Sequence, residues 1–292
     1  MISAIDMDQE KLGLRVTIAG LVGSIFFFLG GNFIWAEEKV DDTNIVNWYY
    51  AHEFGTGAYK VGDTTVQIFR IPIAYTLRPL QESRWGVKFV MPFTFGYHNF
   101  KFDLGDVIDK ILEEDFATVT LTPGVELTIP FYWQTQIYPY LYTGYGDETN
   151  NDTSAWIYGS GVRMLRNLRW RTSSLTVGSA FTFSGYKSSD NESRATSALR
   201  FGVNMITPFN TRLVNRIPTW GWHFITFFYF NELDFESEQR QPIEISNEYE
   251  FALTLGTKNP MTFLGMDFDR FGLAYRWSPD LQAVKLVASF PF

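Results

Sequence analysis

Residues 84–97 read R-W-G-V-K-F-V-M-P-F-T-F-G-Y, and every second residue of this stretch, starting at Trp85, is large and apolar. The residues between them are mostly small or polar, as Gly86, Lys88 and Thr94 are. A period of two places alternate side chains on opposite faces of a strand, so the pattern predicts a β-strand with one apolar face. Whatever covers that apolar face decides what class of protein this is.

The same alternation recurs along the chain, for example at residues 69–77, 118–131, 199–205 and 284–292. Segments of this kind, separated by polar or glycine-containing links, are typical of an all-β protein. The sequence predicts twelve strands, at residues 44–54, 65–78, 84–98, 116–131, 134–146, 155–165, 170–186, 194–206, 220–231, 246–257, 267–277 and 281–292.

The links between the predicted strands alternate in length over most of the chain. Polar, acidic or glycine-containing stretches follow the first five odd-numbered strands, near residues 55–64, 99–115, 147–154, 187–193 and 232–245. Short links follow the second, fourth and sixth strands, at residues 79–83, at 132–133 and at Asn167. In an up-and-down sheet this pattern places most long loops at one end.

Composition excludes several classes of protein. The chain has 292 residues, 18% of them aromatic and 19% charged, and its mean hydropathy of −0.09 argues against a helical membrane protein. A net charge of −8 argues against a nucleic-acid partner. The chain has no cysteine, which is compatible with an exported protein that needs no disulfides.

The N-terminal segment resembles an export signal. Lys11 and Arg15 precede an apolar run at residues 16–36, and Glu37 follows the small residue Ala36 directly. We therefore expect residues 1–36 to be a signal peptide and residues 37–292 to form one β-barrel domain. The alternative is an uncleaved signal anchor, because the run is nearly long enough to span a bilayer.

Alternation by itself does not distinguish a soluble β-sandwich from a membrane barrel. Here the less apolar face is rich in Gly, Ala and Thr, aromatic residues such as Trp85 and Tyr97 lie near strand ends, the strand count is even, and the chain ends on an alternating strand at Phe292. These features favour a transmembrane antiparallel up-and-down β-barrel of about twelve strands in the outer membrane. A closed barrel is the only sheet that leaves no edge unpaired in lipid.

Twelve strands, a signal segment and the ending A-Y-R-W-S-P-D-L-Q-A-V-K-L-V-A-S-F-P-F resemble the translocator barrels of outer-membrane autotransporters, and more narrowly the solitary autotransporter-like barrels of Gram-negative bacteria, which lack a passenger. Only residues 37–43 precede the predicted first strand, so we expect no secretion of a passenger of its own. The resemblance implies that Phe290 and Phe292 carry an assembly signal, with Phe292 at the lipid interface of the closing strand. It also implies contact with the barrel-assembly machinery, outer-membrane lipid and lipopolysaccharide, as a monomer.

The strand parity directs a set of charged side chains into the barrel. These lumen-facing candidates are Arg70, Lys88, Glu126, Arg163, Arg200, Glu248, Glu250 and Arg276. One interpretation is a structural ion-pair network that fills a narrow barrel, because unpaired charges are costly in a low-dielectric wall. The other is a narrow, porin-like channel for small charged or sugar-like solutes.

Enzyme chemistry has less support in the sequence. His52, His98 and His223 lie in no recognised motif and are expected at the rim or in the aromatic girdles, so we predict no catalytic residues, no cofactor and no metal site. An acidic loop at residues 147–152 is more typical of solvated loops than of a cation site. Residues 103–115 predict a short amphipathic helix that packs on the rim or acts as a lid. A lipid-modifying enzyme remains as a second alternative to the channel.

Overall fold

The structure is a computed structural model that describes residue 48 and residues 54–61, 64–81, 84–98, 118–148, 153–189, 193–211, 216–235, 243–263 and 266–292. The expected signal peptide, the expected helix at 103–115, most of the acidic loop and His52 lie outside these residues. All regular secondary structure in the described part is β-strand. No helix there is long and apolar enough to cross a membrane.

Thirteen strand segments form a single antiparallel sheet. Their bounds are β1 (Gly57–Val61), β2 (Thr64–Arg78), β3 (Gly86–His98), β4 (Thr118–Leu121), β5 (Gly124–Phe131), β6 (Thr135–Glu148), β7 (Ser154–Trp170), β8 (Ser173–Ser188), β9 (Ser193–Pro208), β10 (Pro218–Phe235), β11 (Ile243–Phe263), β12 (Met266–Trp277) and β13 (Leu281–Val287).

The sheet closes on itself as a twelve-stranded barrel. Neighbouring strands pair all the way round, and β13 pairs with β1, with Lys285 opposite Gly57 and Leu281 opposite Val61. Segments β4 and β5 both lie between β3 and β6, so they form one wall strand interrupted at Pro123. The interruption is bridged, because the N–H of Thr143 donates to the Pro123 carbonyl over 3.0 Å. The all-β barrel prediction is confirmed.

The outer face of the wall is apolar. Outward side chains such as Leu141, Phe181, Leu253 and Leu273 are exposed, whereas their neighbours in sequence point inward. Exposed aromatic residues collect at both ends of the strands: Trp85, Phe131, Tyr132, Trp133, Trp170 and Trp220 at the short-turn end, and Tyr145, Trp156 and Phe230 at the opposite end. The apolar face of residues 85–95 belongs to this outer surface.

The prediction for the first strand is wrong at its two described residues, and the rest of 44–54 lies outside the described part of the chain. Of residues 44–54, the described Trp48 and Phe54 belong to no strand and are buried inside the barrel. The stretch at 55–64, which we expected to be a loop, contains β1. Alternation over five residues, Gly57–Val61, is too short to stand out from the sequence, and its pairing with β2 and β13 is what makes it a strand.

The closing strand is shorter than expected. Strand β13 ends at Val287, whereas the pattern predicts a strand to residue 292. Beyond Val287 the chain turns inward, so that Phe290 and Phe292 pack against the buried core of the barrel. Phe292 therefore does not lie at the lipid interface in this structure, although the role of both residues as an assembly signal stays a prediction.

Two tight turns at the short-turn end use residues with positive φ. Trp133 and Gln134 have φ values of 57° and 58°, and the N–H of Thr135 donates to the Tyr132 carbonyl, as expected for a type I′ hairpin turn. The next short turn lies at Arg171, with φ 56°, and not at Asn167 as expected. Strand β7 continues past Asn167 because that residue pairs with Thr176 in the ladder.

Candidate functional site in the barrel interior

The barrel interior is the candidate functional site. The ladder registers place all eight charged candidates on the inner face. Glu126, Glu248, Glu250 and Arg276 are buried, whereas Lys88 and Arg163 are partly accessible from within. The charged side chains gather in separate clusters.

The first cluster joins Glu248 and Arg276. Their ion pair is closed to solvent, with Arg276 0% exposed, and the guanidinium also donates to Tyr229 Oη over 2.8 Å. The guanidinium carbon lies 4.1 Å from the centroid of the Phe227 ring and 5.2 Å from that of Phe54. A cation held between a carboxylate and two ring faces is stabilised by charge pairing and by the ring quadrupoles.

The second cluster is centred on Glu250. Its carboxylate accepts from Lys285 Nζ over 2.5 Å and lies 3.1 Å from His223 Nε2. His223 is 1% exposed, so the expectation that it lies at the rim is wrong. Strand β10 is apolar on both faces, which hides its parity in the sequence. Neither His223 nor Lys285 is among the sequence-based candidates, although Lys285 alternates with the apolar Val284 and Leu286 and could have been found from that pattern.

The third cluster is centred on Glu126. Lys88 Nζ donates to it over 2.9 Å, and Arg163 forms an ion pair with its other carboxylate oxygen. The Arg163 guanidinium carbon lies 5.5 Å from the ring centroids of both Tyr138 and Tyr140. Among the described residues, two cations share this one carboxylate.

Glycines on β7 leave room for the tyrosines of β6. A Cβ at Gly161 would lie 2.5 Å from Tyr140 Oη, and Gly159 faces Tyr142 in the same way, one pair along the ladder. These side chains cross the neighbouring strand along the inner wall. A larger residue at either glycine would push the ring into the lumen.

The two remaining candidates lie outside these three clusters. The Arg200 guanidinium carbon lies 5.4 Å from the centroid of the Phe227 ring, the ring that Arg276 also contacts. The backbone of Arg70 exchanges hydrogen bonds with the Thr56 hydroxyl, which ties the chain before β1 to β2. The alternation of the sequence predicted that both residues lie on the inner face, but it did not predict which residues they contact.

Two stretches of chain outside the strands lie within the lumen. The Trp48 ring lies against Gly146 near the long-loop end, and Phe54 stacks on Tyr59 at 4.7 Å between ring centroids. From the other terminus, the Phe290 and Phe292 rings lie 4.7 Å apart, and both rings contact Gly202. The described lumen is thus occupied by aromatic rings and paired charges.

The buried carboxylates of Glu250 and Glu248 are engaged with His223, Lys285 and Arg276. Within the described ranges, no group of three or more His, Cys, Asp and Glu side chains is placed to hold a metal ion. The strand placement of His98, at the end of β3, is described, but its side chain is not.

No family model matches the chain, and no curated protein matches it. Among solved structures, the chain is similar to the β domain of the Bordetella autotransporter BrkA. The TM-score is 0.46 and the identity 10%, over 79% of this chain and 92% of that domain.

Proposed function

We propose that this protein is an integral outer-membrane β-barrel whose wall contacts lipid and whose lumen is filled by its own side chains. The observation that carries the proposal is the closed wall with an exposed apolar band between two sets of exposed aromatic residues. A water-soluble barrel would place polar side chains at Leu253 and Leu273, which are 56% and 53% exposed.

The height of the band fits a bilayer. Tyr145 lies ten residues beyond Thr135, the first residue of β6 after the turn that carries Trp133. Ten steps of about 3.3 Å give about 33 Å along the strand, and a tilt of about 40° reduces this to about 25 Å along the barrel axis. The apolar band of an outer-membrane barrel is about 25 Å tall, so the aromatic rings would lie at its two boundaries.

The filled lumen supports a structural role in preference to open conduction. Arg276 and Glu250 are buried among partners of opposite charge, and Phe54 and Phe292 occupy the space that a channel would need. Within this proposal the barrel does not conduct ions in the described conformation, and we assign it no catalytic reaction.

Export and assembly complete the proposal. A signal peptide at residues 1–36 would direct the chain across the inner membrane, and the assembly machinery would receive the C-terminal segment with Phe290 and Phe292. The mature barrel would then lie in the outer membrane as a monomer, in contact with lipid and lipopolysaccharide. The exposed apolar band supports the last step, because burying it in lipid removes a large apolar surface from water.

The test is expression in a Gram-negative host, followed by membrane fractionation and gel migration with and without heating. We expect an outer-membrane protein whose unheated form migrates differently from its heated form. The matched variants are Leu273→Arg in the middle of the band and Gln282→Arg, which is exposed near the long-loop end. Leu273→Arg should abolish most of the folded form, because a charge at the bilayer centre costs about 2–4 kcal/mol, and Gln282→Arg should not.

A soluble wild-type protein, or equal folding of the two arginine variants, would refute the membrane proposal. Planar-bilayer recordings of the purified barrel test the filled lumen separately, and steady single-channel currents from the wild-type protein would contradict it.

A further inference from the structure

The links at the two ends of the barrel differ in charge. The long link at residues 103–115 contains six acidic residues and one lysine, whereas the stretch 166–172, at a short turn, contains three arginines and no acidic residue. Outer-membrane barrels place their short turns at the periplasmic end. The turn between β7 and β8 would therefore meet the periplasmic leaflet with a local excess of positive charge.

Arg166 carries part of this charge on the outer face of the wall. It has the same parity in β7 as Val162 and Met164, which are 40% and 44% exposed on the apolar face. Trp156, exposed at the other end of the strand, is ten residues away. Ten steps in a strand tilted by about 40° span about 25 Å along the barrel axis, which is the height of the apolar band. Arg166 therefore lies at the boundary of the band, at the level of lipid headgroups.

The Arg166 side chain is held against an aromatic turn. Its guanidinium carbon lies 5.8 Å from the centroid of the Trp133 ring, a cation–π contact. Trp133 is itself 80% exposed, and its neighbour Tyr132 is 75% exposed. Within the described ranges, no carboxylate forms an ion pair with Arg166. A guanidinium that rests on a ring by its flat face keeps N–H groups free to donate, so this cation can receive an anion.

A second arginine–tryptophan contact has the same composition at another point of the rim. Arg78 lies opposite Val87 on the outer face, and its Nε donates to the Trp85 carbonyl over 2.8 Å. Both Arg78 and Trp85 are exposed, and no described acidic side chain pairs with this arginine. The interior cations Arg276 and Lys285 differ, because each is paired with a buried carboxylate.

The phosphodiester of a phospholipid complements this arrangement. Its oxygens accept paired N–H groups from one guanidinium, and it lies at the depth of the aromatic boundary. The acyl chains below it would lie along the exposed Met164 and Val162. A zwitterionic headgroup adds an ammonium group, and the described surroundings of Arg166 offer no carboxylate to receive it. The charge balance therefore favours an anionic headgroup.

We propose that Arg166 and Trp133 form a binding site for the headgroup phosphate of an anionic phospholipid, in the leaflet at the short-turn end of the barrel. The inference rests on the proposed membrane location and deepens it, because it gives one position on the wall a preference among lipids. The guanidinium of Arg166 donates to the phosphate oxygens. The Trp133 ring positions the guanidinium and fixes its depth at the boundary of the apolar band.

The test uses the absence of native cysteine. A bimane label at Met164→Cys lies beside Arg166, and the same label at Leu253→Cys lies four strands away, on the outer face of β11. Each labelled barrel is reconstituted in dioleoylphosphatidylcholine vesicles that contain either dibrominated phosphatidylglycerol or dibrominated phosphatidylcholine. Because bromine quenches the label only at close range, the ratio of the two quenching curves gives the local preference for the anionic lipid.

The label at Met164→Cys is then combined with one of two matched substitutions. Arg166→Gln removes the charge from the outer face, and Arg169→Gln removes the same charge from the opposite parity of the same strand. Heat-modifiable gel migration confirms that each variant is folded.

We expect phosphatidylglycerol to be preferred about 5-fold at Met164→Cys, as for one cation near an anionic lipid surface, and not to be preferred at Leu253→Cys. Arg166→Gln should abolish the preference, and Arg169→Gln should leave it unchanged. Raising the salt from about 0.1 M to about 1 M should weaken the preference, because the screening length falls from about 10 Å to about 3 Å.

Equal quenching by the two brominated lipids at Met164→Cys would overturn the site, and so would an equal loss of preference in Arg166→Gln and Arg169→Gln. Lipopolysaccharide that relieves the quenching at a lower mole fraction than unbrominated phosphatidylglycerol would assign the position to the other leaflet and also overturn the proposal. The membrane location has its own readout in these vesicles. Absence of quenching by brominated phosphatidylcholine at both labelled positions would refute the proposed function, whereas quenching without preference refutes the lipid site alone.

Discussion

Replacing Arg276 with methionine tests whether the lumen is dry. The guanidinium is 0% exposed, pairs with Glu248 and lies against the rings of Phe227 and Phe54. Arg276→Met keeps much of the side-chain volume but leaves Glu248, also 0% exposed, as a buried carboxylate without its cation. Breaking one side of a buried pair costs about 3–5 kcal/mol, so we expect Arg276→Met to lower the free energy of unfolding by that amount.

The second substitution identifies the cause of this loss. Removing both charges, with Arg276→Met and Glu248→Leu together, leaves no uncompensated ion, and such replacements are often neutral. We expect the double variant to be at least about 2 kcal/mol more stable than Arg276→Met alone, a coupling within the range for contacting residues. Arg169→Met, at an exposed position near a turn, is the matched control and should change stability by less than about 0.5 kcal/mol.

The assay is reversible urea unfolding of the barrel in detergent micelles, followed by tryptophan fluorescence and by the heat-modifiable gel shift. The comparison requires that the slope of the free energy of unfolding against urea concentration is the same in all variants. If Arg276→Met cost no more than Arg169→Met, or if the double variant were no more stable than Arg276→Met alone, water would screen the pair and the filled-lumen argument would fail.

The same assay checks three further expectations. Lys285→Met should cost about 3–5 kcal/mol, because Lys285 serves a buried carboxylate, whereas Lys88→Met, with its side chain 39% accessible, should cost about 0–1 kcal/mol; equal losses would contradict the assigned burial. Gly161→Val should destabilise the barrel by about 1–3 kcal/mol, because the facing tyrosine ring has no room to move without loss of packing, and an unchanged midpoint would count against that contact. Gln134→Gly, at φ 58°, should stabilise the barrel by about 1 kcal/mol, and a loss of stability would contradict the turn geometry.

The inner and outer faces of most strands were predictable from the sequence. In an extended strand the pleat alternates side chains between the two faces, so parity alone placed Glu126, Arg163 and Arg276 on the inner face. The same rule failed for His223, since both faces of β10 are apolar and neither parity stands out. One face of β10 is apolar because it packs inside the barrel, and the other is apolar because it belongs to the outer band. The types of residue are the same on both faces and do not distinguish these two causes.

The partners of the inward charges were not predictable. Glu250 is directly opposite Arg276 in the ladder, yet its carboxylate contacts Lys285 and His223, and Arg276 turns to Glu248. Which cation reaches which carboxylate depends on the stagger between strands and on side-chain lengths across a curved wall. Neither quantity is encoded by the alternation of a single strand.

The two ends of the described chain separate what the sequence determined from what only the tertiary structure decided. The alternation of residues 281–292 specifies a strand, and by itself the sequence determined the closed all-β wall, its apolar outer face and its charged inner face. Only the tertiary structure decided that β1 is five residues long, that Trp48 and Phe54 lie in the lumen and that the strand ends at Val287. The physical reason is that strand parity is a local property of the backbone. The position of a terminal segment, in contrast, depends on a competition between pairing with a distant edge and filling a space that exists only once the barrel has closed.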